Sequence, residues 1–408
     1  MFRTSIANLI LRGLTLISKF VLLLFIARFL SLEEMGVWGL MNVTIALSLY
    51  FLGLDFYVFN TREILALSET ERLPLIRDQL VFHGLTYVVV LPLLLVVFLA
   101  GLISWQYVGW FYLLLVLEHL SQESARLLIT LARPTLANLV LFLRSGAWVY
   151  AVVTSAFFLE DLRGLPLIWS GWAVGVIISI GVAAHAIRRL PWQESRRISI
   201  NWAWMRKGFK VSLPFLFATM SFVGIQYADR YFLQHFWGEA MVGIYTFYAS
   251  IANIIHIFVF TGIIMILHPR LISAYQQGRR EEYRALMKKM SLGIVGGIVV
   301  LASLALALIK PVLQLVGKQM YIDYRSVFVI MLITASLLTL SYIPHYSLFV
   351  RHLDKEIVIS VIAALVVALI ANTVLVPAYE LKGAAFATLS AMITMLLIKS
   401  MIALKRKS

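Results

Sequence analysis

The chain has 408 residues, of which 61% are hydrophobic and only 13% charged, with a formal charge of +15 and no cysteine. A soluble globular protein of this length carries about twice that charged fraction, so the composition argues against a soluble enzyme. The absence of cysteine excludes disulfides, thiol nucleophiles and thiolate metal sites.

The apolar stretches, taken in chain order, cover about 5–29, 37–59, 80–103, 107–130, 136–158, 165–186, 208–229, 240–267, 290–311, 324–350, 355–377 and 382–402. Each is long enough to cross a bilayer as a helix. The first lacks a small-residue cleavage site after a short apolar core and reads as a retained helix. Short gaps make neighbouring helices antiparallel. Arg62, Arg72, Arg77, Arg126, Arg133, the clusters from Arg188 to Lys207 and from Arg270 to Lys289, Arg351, Lys355 and the C-terminal lysines then fall on one side. Positive-inside bias makes that side cytoplasmic, with both termini on it. The same pattern accounts for the net charge without nucleic acid, since Lys and Arg form no continuous basic face.

The expected fold is therefore an all-α polytopic membrane protein with about 12 transmembrane helices. LPWQESRRISINWAWMRK, from Leu190 to Lys207, is the longest polar interruption near the middle and divides the chain into two six-helix lobes, 1–195 and 196–408. Its Trp192, Trp202 and Trp204 are expected to anchor the segment at the membrane interface. HPRLISAYQQGRREEYRALMKK, from His268 to Lys289, reads as a second surface segment, with Glu281 and Glu282 facing Arg284 or nearby lysines.

The halves carry a weak internal repeat. ARFLSLEEMGVWGLMNV parallels RYFLQHFWGEAMVGIYTFY, which sets Gly36 and Trp38 opposite Gly243 and Tyr245, and EDLRG at Glu160 parallels YELKG at Tyr379. Equal, even helix counts between these landmarks make the repeat parallel, with an axis along the membrane normal and a central cleft. Chance recurrence of similar loops is the competing explanation.

Charges inside the spans need an energetic reason, because a lipid-facing Arg or Lys at mid-membrane costs about 2.5–3.5 kcal/mol. In the first span Ser5, Asn8, Arg12, Thr15 and Lys19 recur three or four apart and share one helical face. Turned to a water-filled interior, that face would attract an anion. Snorkelling of Arg12 and an ion pair from Lys19 to Glu118, Glu123 or Asp55 are the structural alternatives. Arg144, deep in the fifth span, is a third cationic candidate, and Lys210, four residues before Pro214, a fourth. Asp55 and Glu118 are the candidates for ion coupling, with His119 a comparable one, Asp229 beside Arg230 reads as a fixed strut, and Glu123, Arg126 and Arg133 read as interface pairing. For His119, as for His256 and His268, a hydrogen-bonded structural role on an apolar helix is the competing reading. No GxxxxGK loop, HExxH helix or GxSxG elbow occurs, and no polar domain offers a place to hydrolyse ATP. The chain is expected to be non-enzymatic, to need no cofactor or metal, and to suit secondary transport.

On four pieces the chain resembles the polysaccharide-export, O-antigen repeat-unit flippases of the multidrug/oligosaccharidyl-lipid/polysaccharide exporter superfamily. They are ARFLSLEEMGVWGL, LGLDFYVFNTRE, SLPFLFATMSFVGIQYADRYFL followed by GEAMVGIYTFYAS, and LKGAAFATLSAMI. The resemblance implies a MATE-like fold of two six-helix lobes in the bacterial inner membrane. It also implies alternating-access movement of undecaprenyl-pyrophosphate-linked oligosaccharide to the periplasmic leaflet, driven by a proton or sodium ion. Polysaccharide polymerase and assembly proteins would be the partners. Arg12, Lys19, Arg144 and Lys210 are the positions available to attract pyrophosphate, and Trp38, Tyr50, Tyr57, Tyr227, Tyr245 and Tyr248 to contact sugar or form the cavity wall. Lipid II, a drug or a noncatalytic scaffolding role are the alternatives.

Overall fold

The computed structural model describes residues 2–406 except 66, 68, 189, 191, 193, 194, 196 and 197, and only the backbone of residues 2–7, 9, 69 and 70. The side chain of Ser5, and Arg189, Arg196, Arg197 and Lys407 of the basic gaps, lie outside what is described. All regular elements among the described residues are helical, the solution that satisfies every backbone polar group in hydrocarbon without a partner strand.

The first elements are α1 (Phe2–Phe29), α2 (Leu32–Gly53), α3 (Phe56–Leu65), α4 (Glu69–Leu93), α5 (Val96–Leu99) and α6 (Val108–Thr130). Next come α7 (Pro134–Phe142), a π-helical turn (Leu143–Ala147), α8 (Trp148–Phe158), α9 (Leu165–Ile187) and α10 (Trp202–Trp237). The remainder is α11 (Glu239–Ala252), α12 (Ile254–Val259), a second π turn (Phe260–Ile264), α13 (Met265–Gln276), α14 (Arg280–Val316), α15 (Gln319–Asp323), α16 (Arg325–Leu340), α17 (Tyr342–Phe349) and α18 (Asp354–Lys405).

Among the described residues, ten helical segments are long and apolar enough to cross a membrane. Two features bring these close to the expected dozen. With 23 residues, α6 also has the length, although it carries Glu118, Glu123 and Arg126. The 52 residues of α18 are interrupted at Glu380 by φ 52° and ψ −131°. A Cβ added at Gly383 would collide with the Leu375 carbonyl, whereas eight residues of straight helix span about 12 Å. The chain therefore doubles back there. Pro377 cannot donate to the ladder, and the Trp237 indole supplies a donor to the Val376 carbonyl at 2.9 Å.

The chain forms two compact units, Met1–Leu30 with Leu40–Met220, and Ser31–Gly39 with Ser221–Ser408. The division falls within α10, not at 195/196, because the middle segment is bound into the first unit. Arg77 donates to the carbonyls of Ser195, of Ile198 at 2.5 Å and of Ser199 at 3.2 Å. Its buried neighbour Asp78 accepts from Arg77 at 2.6 Å and from the Asn201 amide at 3.0 Å. Trp204, expected at the interface, is instead buried among Phe56, Phe59, Phe82 and Met205, and Trp192 is half-buried with its indole on the Ile187 carbonyl at 3.0 Å. Trp202 alone of the three is exposed. Asp78→Ala removes the carboxylate paired with Arg77 and the acceptor of the Asn201 amide, and a loss of about 2–3 kcal/mol is expected in detergent unfolding.

The region from His268 to Lys289 contains no separate surface helix. It is the end of α13 and the start of α14, joined through Gly278 at φ +69°. Glu282 pairs there with Arg279, not with Arg284.

In the second unit, the start of α2 crosses the start of α11 at backbone contact. A Cβ at Gly36 would meet the Glu239 carbonyl, one at Gly243 the Leu32 carbonyl, and one at Gly39 the Thr246 side chain. Shifted by 207 positions, Leu32, Gly36 and Gly39 become Glu239, Gly243 and Thr246. The contacts are thus reciprocal in the manner of an isologous two-fold, which favours the internal repeat over chance recurrence.

Candidate functional site

The polar face of α1 is built within the first unit, where α1 packs against α7 and the first π turn, and α9 packs against α6 and that same turn. Thr15 and Ser18 are buried and return their hydroxyls to the Leu11 and Leu14 carbonyls, at 2.8 and 2.7 Å. Lys19, next along, is exposed and has no ion pair within 4.0 Å among the described residues. It lies within the electrostatic reach of Arg144 and Glu118.

Arg144 stands on the π turn, a widened helical turn often found at functional positions. The turn leaves its carbonyl to the Trp148 indole at 3.0 Å. Gly146 keeps this turn close to Ser18, since a Cβ there would lie 3.1 Å from the Ser18 hydroxyl. The Arg144 Nε lies 2.8 Å from Glu118 Oε2 with both side chains largely buried, while Trp172 donates to Glu118 Oε1 at 2.6 Å. Both carboxylate oxygens are therefore engaged. Glu118, a sequence candidate for ion coupling, is the counter-ion of Arg144, and the formal charge left over in this trio belongs to Lys19. Trp172→Phe removes one donor from a buried carboxylate, and a loss of about 1–3 kcal/mol is expected in thermal unfolding.

The other two cationic candidates stand apart. Arg12 is exposed and donates to Asn138 at 3.2 Å. Lys210 is exposed on α10 with no ion pair among the described residues. Asp55 is buried where α2 breaks, with Leu54 and Asp55 both left-handed at φ 49° and 50°. Thr86 takes up the Leu52 carbonyl freed by that break at 2.8 Å, and Thr219 hydrogen-bonds the Asp55 carboxylate.

The aromatic candidates separate by burial. Tyr245 and Tyr248 form no accessible wall. Both are buried, with the Tyr245 hydroxyl on Asp229 at 2.5 Å and that of Tyr248 on the Tyr321 carbonyl. Tyr57 is half-buried under the Arg126 guanidinium at 3.6 Å, and Tyr227 lies 5.6 Å from that of Arg230. Trp38 and Tyr50 are half-buried. Asp229 holds the strut position expected of it, pairing with Arg230 at 3.1 Å and accepting from Thr388 at 3.0 Å. Glu123 and Arg126 pair at 2.5 Å, but Arg133 binds the Ala186 carbonyl at 2.7 Å instead.

This arrangement can be set beside solved structures. Over 96% of this chain and 94% of the other, it matches an inward-facing multidrug resistance MATE family transporter of the MOP superfamily, with a TM-score of 0.78 at 14% identity. The chain has a MATE-type transporter fold. It also matches the lipid II flippase MurJ in an inward closed conformation, with a TM-score of 0.71 at 13% identity over 98% of this chain and 87% of that one. A mutant of the Vibrio cholerae MATE transporter VcmN gives 0.52 at 14% identity over 100% and 98%. No family profile and no curated protein sequence matches.

On this MATE-type fold, sequence reasoning missed two groups. Lys399, assigned to the cytoplasmic tail, is only 4% exposed within α18, in the electrostatic reach of His345. His83, not singled out in the sequence, lies against the coupling candidate His119 inside the first unit. The apolar run ITMLLIKSMIAL around Lys399 was a usable signal of depth, whereas nothing in sequence joins two histidines 36 positions apart.

Proposed function

We propose that this protein is a secondary transporter of the inner membrane, with both termini cytoplasmic, that moves undecaprenyl-pyrophosphate-linked oligosaccharide from the cytoplasmic to the periplasmic leaflet by alternating access. The observation that carries the reading is the exposed, unpaired Lys19 beside a Glu118–Arg144 pair that already neutralises itself. A pyrophosphate is the chemistry such a lysine recognises, with Arg144, oriented by its ion pair to Glu118, offering its remaining N–H donors beside it. Arg12 and Lys210, both exposed, serve as outlying attraction for the anion. The half-buried Trp38, Tyr50, Tyr57 and Tyr227 are the aromatics left for sugar contact. The chemistry is positional: no bond in the cargo is made or broken.

Lipid II is the second reading, favoured by likeness to a structure described as a lipid II flippase and sharing the same pyrophosphate chemistry. A cationic drug fits less well, because Lys19 would repel it. Binding of a short polyprenyl pyrophosphate to purified protein tests the site. Lys19→Ala is expected to weaken binding about tenfold while Lys19→Arg retains most of it. Equal affinity in the wild type and Lys19→Ala would remove Lys19 from the site.

A further inference from the structure

Within the first unit, His83 of α4 and His119 of α6 meet edge to face with ring centroids 4.8 Å apart, and they are only 5% and 1% exposed. The Tyr87 hydroxyl lies 2.7 Å from His119 Nδ1. The Nε2 atoms of both histidines are buried and have no hydrogen-bond partner among the described residues. Two such orphans side by side require an explanation, since buried polar atoms are nearly always satisfied. Gly53 borders the same place: a Cβ there would come within 3.3 Å of His119 Nε2.

The surrounding charges are specific. Glu123 and Arg126 act on His83, and Arg126 acts on His119. Arg126 is tied to Glu123 at 2.5 Å and covers the Tyr57 ring, and Gln79 donates to the other Glu123 oxygen at 2.8 Å. Asp55 lies in the electrostatic reach of both Arg126 and Glu123. Two carboxylates and one guanidinium leave the cluster one negative charge in excess, which a single proton would balance.

We propose that His83 and His119 form a one-proton site, in which one imidazole of the pair carries a single proton that is released when the cluster opens during the transport cycle. This rests on the reading of the chain as an ion-coupled transporter and supplies the ion and its place. The pair shares the proton because two adjacent imidazoliums would repel each other. Asp55 and Glu123 supply the balancing charge, Tyr87 fixes the His119 ring, and Gly53 leaves the space.

The first test needs no cargo. Acid–base titration of purified protein over about pH 4–8 is compared between the wild type and a His83→Gln/His119→Gln variant of matched folding. A difference of one proton is expected. No difference, or a difference of two, overturns the shared site. The second test separates gradient-free exchange of labelled lipid-linked cargo in vesicles from net movement driven by an imposed pH gradient. His119→Gln and Tyr87→Phe should retain exchange and lose at least tenfold of gradient drive, and Gly53→Ala should behave alike by crowding the ring. Undiminished gradient drive in His119→Gln contradicts the proposal. If the wild type moves no cargo but differs from the double variant by one proton, the proton site stands and the transport reading fails.

Discussion

Gly243→Leu is expected to deprive the chain of a stable fold. The added side chain would begin inside the Leu32 carbonyl and against the Gly36 amide nitrogen, and neither can rotate away as a side chain would. Overpacking of this kind costs about 1–3 kcal/mol where side chains can adjust, so contact with fixed backbone should cost at least about 3 kcal/mol. Reciprocity sharpens the expectation: Gly36→Ala and Gly243→Ala should destabilise to a similar degree, since each drives a methyl into the other helix's carbonyl. Gly39→Ala should cost less, because it meets the Thr246 side chain. Thermal unfolding in detergent with size-exclusion chromatography reads all four. A wild-type melting profile for Gly243→Leu would refute the close crossing.

Glu118→Ala should be the most damaging change in the candidate site. It leaves Arg144 buried without its counter-ion, a situation that costs about 3–5 kcal/mol. Stability alone would not show what the pair is for. Replacing both partners, as Glu118→Met with Arg144→Met, removes the charges together and should return stability to within about 1 kcal/mol of wild type. Transport should remain lost in that double variant, because Arg144 no longer flanks Lys19. A double variant that is stable and transports normally would make the pair purely architectural.

Much of the architecture was legible because bilayer thickness imposes a length on each helix and hydropathy records it. The fold-back near Glu380 and the helix starts around Gly36 and Gly243 belong to that class, and depth in apolar runs singled out Lys19, Arg144 and Glu118 one by one, though not the pairing of Arg144 with Glu118. Partners were less legible. Trp204 looked interfacial beside Arg206 and Lys207, yet aromatic packing on Phe56 and Phe59 outweighed the attraction of the surface. Tyr245 and Tyr248 shared the composition of sugar-binding aromatics, but their hydroxyls met Asp229 and Tyr321 inside the protein. The left-handed pair Leu54–Asp55 carried no Gly or Pro signal beyond Gly53, because its stability comes from Thr86 and Thr219 on other helices. Such contacts are made by tertiary packing and leave no periodic trace.

The most direct measurement is leaflet-resolved translocation in vesicles containing purified protein, with undecaprenyl-pyrophosphate oligosaccharide and lipid II as separate cargoes and Lys19→Ala as the control. The account predicts movement of the oligosaccharide carrier above protein-free vesicles and faster than lipid II, falling by about tenfold or more in Lys19→Ala at unchanged protein abundance. Equal rates with and without protein, under imposed proton and sodium gradients and with folding verified, would contradict it.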